Sequence, residues 1–209
     1  MTSFLKSLAL VAALAVPSLA GATAYDIHPT NSSALFSVKH MMVSNVRGSF
    51  SKVSGTVQLD EKDLTKSSVE AVIDATTVTT NDASRDEHLR GPDFFDVTKF
   101  PTLTFKSTKV EKSGGGLKLT GDLTIRGVKK PVVLQLDGFD VESKDPYGNV
   151  KRGGTATTKI ARKDFGLKWN AALETGGVAV GEEVSITLEI ELVKKQPAQP
   201  VKSAAGTTP

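Results

Sequence analysis

Between Leu117 and Ile125 apolar and polar side chains alternate without a break. Leu117, Leu119, Gly121, Leu123 and Ile125 fall on one side, and Lys118, Thr120, Asp122 and Thr124 on the other. A period of two marks a half-buried β-strand, because successive side chains leave a strand on opposite faces. The same period recurs along most of the chain. Phe36, Val38 and His40 oppose Ser37 and Lys39; Val53, Gly55, Val57 and Leu59 form the next row. Val69, Ala71, Ile73 and Ala75 follow, then Leu103 with Phe105, Val132 to Leu136, Thr155 to Ile160 and Val184 to Leu192. Ser113-Gly114-Gly115-Gly116 reads as an open hairpin turn, Gly127 and Pro131 bracket another, and Asp145-Pro146-Tyr147-Gly148 has proline at its usual second position.

One stretch, from Thr79 to Asp96, departs from this pattern. Asn81, Asp82 and Ser84 can each accept from the free N–H groups that begin a helix, and Ser84 with Glu87 fits a capping box. Asp86 can pair with Arg90 one turn on, and Gly91-Pro92 ends the segment. The spacing predicts a short charged helix over about Asp82 to Arg90, too polar to fill a core. Leu89, Phe94 and Phe95 can close the end of a sheet as a lid, which would leave Asp86 and Glu87 in water.

About eight strands joined mostly by short turns make an antiparallel sheet whose edges must be hidden, and closure into a barrel hides them. The expected fold is therefore all-β, an eight-stranded antiparallel barrel with a short helix inserted near one end. At eight strands the interior is either packed by side chains or holds one small ligand. Gly55, Gly121, Ala71 and Ala75 on the inward rows favour room for a ligand; the other reading is a filled core that uses small residues where the barrel tapers.

With 209 residues, 39% hydrophobic and 23% charged, the chain suits one soluble globular domain plus tails. Residues 1–24 read as a cleavable signal peptide: Lys6, an apolar run from Leu8 to Val16 too short to span a bilayer comfortably, and Ala22-Thr23-Ala24 as the cleavage site. Cleavage there leaves Tyr25 as the mature terminus of an exported protein. Residues 25–195 form the domain, and residues 196–209, with three prolines, read as a disordered tail. The absence of cysteine excludes disulfides, thiolate metal sites, a cysteine nucleophile and a cysteine-linked lipid anchor.

Lysine and arginine are interspersed with acids, so no basic patch for nucleic acid is evident. His28, His40 and His88 form no close ligand pair, so no metal is expected; no cofactor is expected either, since neither glycine-rich turn precedes a lysine-bearing helix as a phosphate loop would. There is no GxSxG elbow, and nothing demands a catalytic residue. An apolar shaft with a polar mouth would take an amphiphile. Alternation assigns the shaft to Phe36, Val38, His40, Val57, Ile73, Phe105, Leu123, Ile125, Leu134 and Ile186. Leu89, Phe94 and Phe95 form the lid, Trp169 lies near the opening, and Arg85, His88 and Arg90 meet the head group, arginine suiting an anionic one.

Arg85-Asp86-Glu87-His88-Leu89-Arg90 followed by Asp93-Phe94-Phe95-Asp96 resembles the signature of the YceI-like family of secreted bacterial lipid-binding proteins. The resemblance extends to Val38-Lys39-His40, to Gly121 through Pro131 and to Asp164-Phe165-Gly166. It implies a lipocalin-like barrel with a long apolar tunnel and a periplasmic address. The implied partner is a long-chain isoprenoid or fatty-chain lipid, with transient membrane contact allowed, in a monomer or homodimer. The alternative is an enzyme acting on a small apolar substrate in the same barrel, with His40 or His88 as general base.

Overall fold

The computed structural model describes residues 21–174 and 176–196. The first twenty residues of the expected leader, and the expected tail from residue 197, lie outside the described residues. Among the described residues six strands precede the one α-helix: β1 Ala22–Ile27, β2 Ser33–His40, β3 Ser44–Phe50, β4 Val53–Asp60, β5 Ser68–Asp74 and β6 Val78–Thr79. Helix α1 covers Ala83–Arg90, and five longer strands follow: β7 Thr102–Ser113, β8 Gly116–Ile125, β9 Val128–Lys144, β10 Val150–Ala161 and β11 Val180–Lys194.

All pairings are antiparallel, and the order β1-β4-β5-β7-β8-β9-β10-β11 closes on itself through β1 and β11. This is an eight-stave barrel. Three staves are each built from two short strands. β1 and β2 both lie along β11, and β3 and β4 continue each other on their far side, followed by β5 and β6. The break between β1 and β2 falls at Pro29, which has no N–H to give a ladder. There Ser32 Oγ donates to the Glu191 carbonyl at 3.3 Å and accepts from the Glu191 amide at 3.0 Å, so one buried hydroxyl replaces a missing strand residue.

Two turns differ from the sequence expectation. β7 and β8 are joined tightly by Gly114 and Gly115, whose φ angles of +57° and +90° suit the mirror-image turn that two-residue hairpins need. β8 and β9 are joined by Arg126 and Gly127 alone, while Pro131 lies inside β9 opposite Asp122. Among the described residues, residues 128–134 of β9 pair only with β8, so a proline facing the other edge breaks no ladder.

The small residues on the inward rows do not simply leave space. A Cβ at Gly121 would lie 2.4 Å from Phe105 Cζ, and one at Gly48 would lie 2.3 Å from Phe36 Cζ. Each glycine is the seat of an aromatic ring from the neighbouring strand. Gly55 instead lets β5 approach, since a Cβ there would meet the Glu70 carbonyl at 2.1 Å. Ala75 is fully buried in the turn before β6, and of the four only Ala71 borders free space.

Candidate functional site

Inward side chains from the barrel staves surround a continuous cavity of about 590 Å³. Strand alternation supplies its wall: Phe36 and Val38 from β2, Val57 from β4, Ile73 from β5, Phe105 from β7, Leu123 and Ile125 from β8. Leu134 and Ile186 complete the expected shaft, and Leu89, Phe94, Phe95 and Trp169 border the cavity at the α1 end. Polar groups gather at that end too, where His40, Thr80, Asp82, Ser84, Arg85 and His88 reach the wall. Arg90 does not.

The reason lies in an open sheet edge. β6 pairs with β3 on one side only, and α1 lies along the other. Arg90 Nη1 donates to the Val78 carbonyl at 3.2 Å, Arg85 Nη2 to the Thr80 carbonyl at 3.2 Å, and the Thr80 amide donates to Asp86 Oδ1 at 2.7 Å. The helix thus supplies by side chain bonds that a neighbouring strand would give, which covers an edge otherwise open to pairing. Arg90 is spent on this seal and on Glu87, so it is not a head-group residue of the cavity. Arg85 borders the cavity, but its Nε and one Nη are already held by Thr80.

Asp86 is buried, contrary to the expectation that it faces water, while Glu87 is exposed. It pairs with Thr79 and Thr80 rather than with Arg90. The expected Ser84–Glu87 capping box is also absent: Asp82 caps the helix and accepts from the Arg85 amide at 3.0 Å. Burial pushes the Asp86 carboxyl up, but the bonds from Thr80 and Thr79 and the nearby Arg90 charge outweigh it and hold the pKa below the ordinary value. A lowered carboxyl contributes stability that is fully present above the unfolded pKa, about 3.9, and is lost as pH falls through the lower folded value. Asp86→Asn should therefore cost about 1–3 kcal/mol at neutral pH. It should also flatten the loss of stability below about pH 4, which urea melts across that range would measure.

At the mouth His88 packs edge-on against Phe94 and Trp169, with ring centroids 5.0 and 4.9 Å away, and its Nε2 lies 2.9 Å from Asp93 Oδ2. Phe95 stands edge-on to Phe50 at 5.3 Å, and Phe50 touches Phe36 further in at 5.8 Å. The segment after α1 is tied down as well. The Phe95 amide bonds the Leu89 carbonyl, that of Asp96 the Gly91 carbonyl, and Arg126 reaches the Phe94 carbonyl at 2.9 Å. Leu89, Phe94 and Phe95 thus sit in a segment tied by backbone bonds and by the Arg126 side chain.

Sequence reasoning missed Arg162. It is buried, borders the cavity, and donates to the carbonyls of Leu167, Trp169, Val180 and Gly181 at 2.6 to 3.2 Å. Burial pushes its pKa down, opposed by the field of Glu182. It gathers the β10–β11 connection that carries Trp169, and Gly166 at φ +78° turns that connection beside the buried Phe165. The available signal was an arginine two residues before Asp164-Phe165-Gly166, at the end of an alternating strand. Among the described residues no group of three His, Cys, Asp or Glu side chains could hold a metal ion.

Together these features define a closed lipocalin-like barrel with an internal apolar cavity open towards a helix-sealed rim. Residues 25–192 match the YceI-like domain, and the chain belongs to that family. It is 36% identical over 193 residues to a UPF0312 protein of Vibrio parahaemolyticus, across 92% of this chain and 97% of that protein. Among solved structures it is similar to the YceI protein of Campylobacter jejuni, with 31% identity, a TM-score of 0.64, and coverage of 76% of this chain and 90% of that one. A more distant fold neighbour from Saccharophagus degradans has 16% identity and a TM-score of 0.61, covering 83% and 99% of the two chains; it is described as a polyisoprenoid binding domain implicated in plant cell wall breakdown.

Proposed function

We propose that this protein binds a long-chain isoprenoid or fatty-chain lipid inside the barrel, tail inward and head at the α1 rim. The observation that carries the reading is the cavity itself: about 590 Å³, apolar along the staves, with most of its polar side chains gathered at one end. That volume falls within the range of small-molecule sites, about 300–1,000 Å³. At roughly 30 Å³ per water-sized group it has room for about twenty chain atoms. Each methylene withdrawn from water contributes about 0.8 kcal/mol, so such a tail supports submicromolar binding after the costs of association. At the rim, His40, Ser84, Arg85 and His88 are the groups a polar head would meet.

Export into the periplasm, for transport or storage of the lipid or for a stress response, belongs to the same proposal. Among the described residues Tyr25 is the first in ladder register with both β4 and β11, opposite Val57 and Lys194, and its side chain is fully buried. Of the described strand residues, cleavage after Ala24 would remove Ala22 to Ala24, which pair with β4 and meet the other side only through the Lys195 amide on the Ala24 carbonyl at 2.8 Å. Native mass spectrometry of the protein purified from its own cell envelope tests both parts. The expected spectrum shows a chain beginning at or near Tyr25 with a lipid adduct that organic extraction removes. A chain retaining Met1 would overturn export, and an adduct-free protein that also takes up no added lipid would overturn binding.

A further inference from the structure

The turn between β2 and β3 is built from residues that a turn of its kind does not favour. The Val43 amide donates to the His40 carbonyl at 3.1 Å, and the two residues between, Met41 and Met42, have φ of +50° and +61°. Turns with both central residues at positive φ favour Asn-Gly, because a bulky side chain is strained there. Here the positions carry two methionines, followed by a valine. All three are exposed, Met41 at 42%, Met42 at 50% and Val43 at 82%. A local rule broken at apolar residues that stay largely in solvent points to a role outside the core.

The tip is held in place and adjoins the cavity mouth. The Met41 amide donates to the Ala179 carbonyl at 2.8 Å, and Met42 packs over Gly177. His40, Val46 and Val180, which flank the tip, all border the cavity. Lys39 and Arg47 lie on the outer face of the same hairpin, and neither has an ion-pair partner among the described residues. The acids across from them are occupied, Glu182 with Lys163 and Glu183 with Lys159. No acidic residue occurs from Lys39 to Arg47.

We infer that the Met41-Met42-Val43 tip, with Lys39 and Arg47 behind it, docks the barrel on an anionic lipid surface and brings the cavity mouth to that surface. Apolar side chains at a protruding turn enter the acyl boundary while the cations behind them meet lipid phosphates. The use of such docking for lipid exchange rests on the lipid-binding reading above; the docking itself does not.

Flotation of the mature protein with vesicles of phosphatidylglycerol and phosphatidylethanolamine in equal parts tests it. The tip variant carries Met41→Asn, Met42→Gly and Val43→Thr, which suits the turn and should melt no lower than the parent. The parent should float with these vesicles, less so in high salt, and weakly with phosphatidylcholine alone. The tip variant should lose at least tenfold in bound fraction, Lys39→Gln with Arg47→Gln should lose the salt dependence, and Tyr147→Ser at the opposite end should change nothing. A parent that does not float, a tip variant that floats as the parent does, or a parent whose tip drives self-association instead would overturn the inference. Uptake of a fluorescent fatty acid delivered by cyclodextrin, without vesicles, should be equal in parent and tip variant. If neither takes it up, the lipid-binding reading fails while flotation still decides the docking.

Discussion

Leu123→Asp should abolish cooperative folding, whereas Thr124→Trp, one position further on, should leave it nearly unchanged. Leu123 is buried on the cavity wall between Phe105 and Lys130 in the ladder. Aspartate there forfeits roughly 1.5–3 kcal/mol of burial and places a carboxylate where no donor is aimed at it, a cost of several kcal/mol more. The sum is comparable with the whole stability of a domain, about 5–15 kcal/mol. Thr124 points to the other face, beside the exposed Thr104, where an indole meets solvent and neighbouring side chains rather than the shaft. Thermal melts followed by circular dichroism would separate the two. If the aspartate variant melted cooperatively near the parent temperature, the shaft would be wet at that depth and a poor place for an apolar chain.

The barrel was legible because alternation is local: each strand states which of its faces is inward, and closure follows from the need to hide edges. β8 shows this, since every second residue from Leu119 to Ile125 is buried. The wall residues of the cavity followed from the same rows. What alternation could not convey was which partner each residue would meet. Gly121 reads as space in one dimension, yet the ring of Phe105 from the adjacent strand fills it. Asp86 reads as a solvated helix residue because its three donors lie on Thr79 and Thr80, and the chain does not announce that β6 ends with a bare edge. Arg90 was misplaced for the same reason. Pro131 looked like a turn residue because the strand containing it has an unpaired edge at that point.

Arg162 is where the seal of the mouth is most exposed to test. Arg162→Met keeps an unbranched side chain of similar reach and removes every donor, which strips the carbonyls of Leu167, Trp169 and Gly181 of their side-chain partner, while that of Val180 keeps the Asn170 amide at 2.7 Å. An unsatisfied buried acceptor costs about 1–3 kcal/mol. Because the site borders the cavity, water can reach some of these three, so the expected loss is about 3–5 kcal/mol rather than the full sum. For a domain of this size that corresponds to a fall in Tm of roughly 10 °C. Arg162→Lys keeps the charge but has one ammonium with three donors in place of a planar fork, and should fall between the two. The chain has one tryptophan, Trp169, so its fluorescence reports this connection alone. The expected methionine variant has red-shifted emission, releases a bound lipid faster, and shows both changes well below its own Tm. A variant with lowered Tm but parental emission and release would make Arg162 a support of the barrel wall and nothing more. With the shift present, the β10–β11 connection is the part of the rim that loosens first, ahead of α1, whose bonds to β6 remain in place.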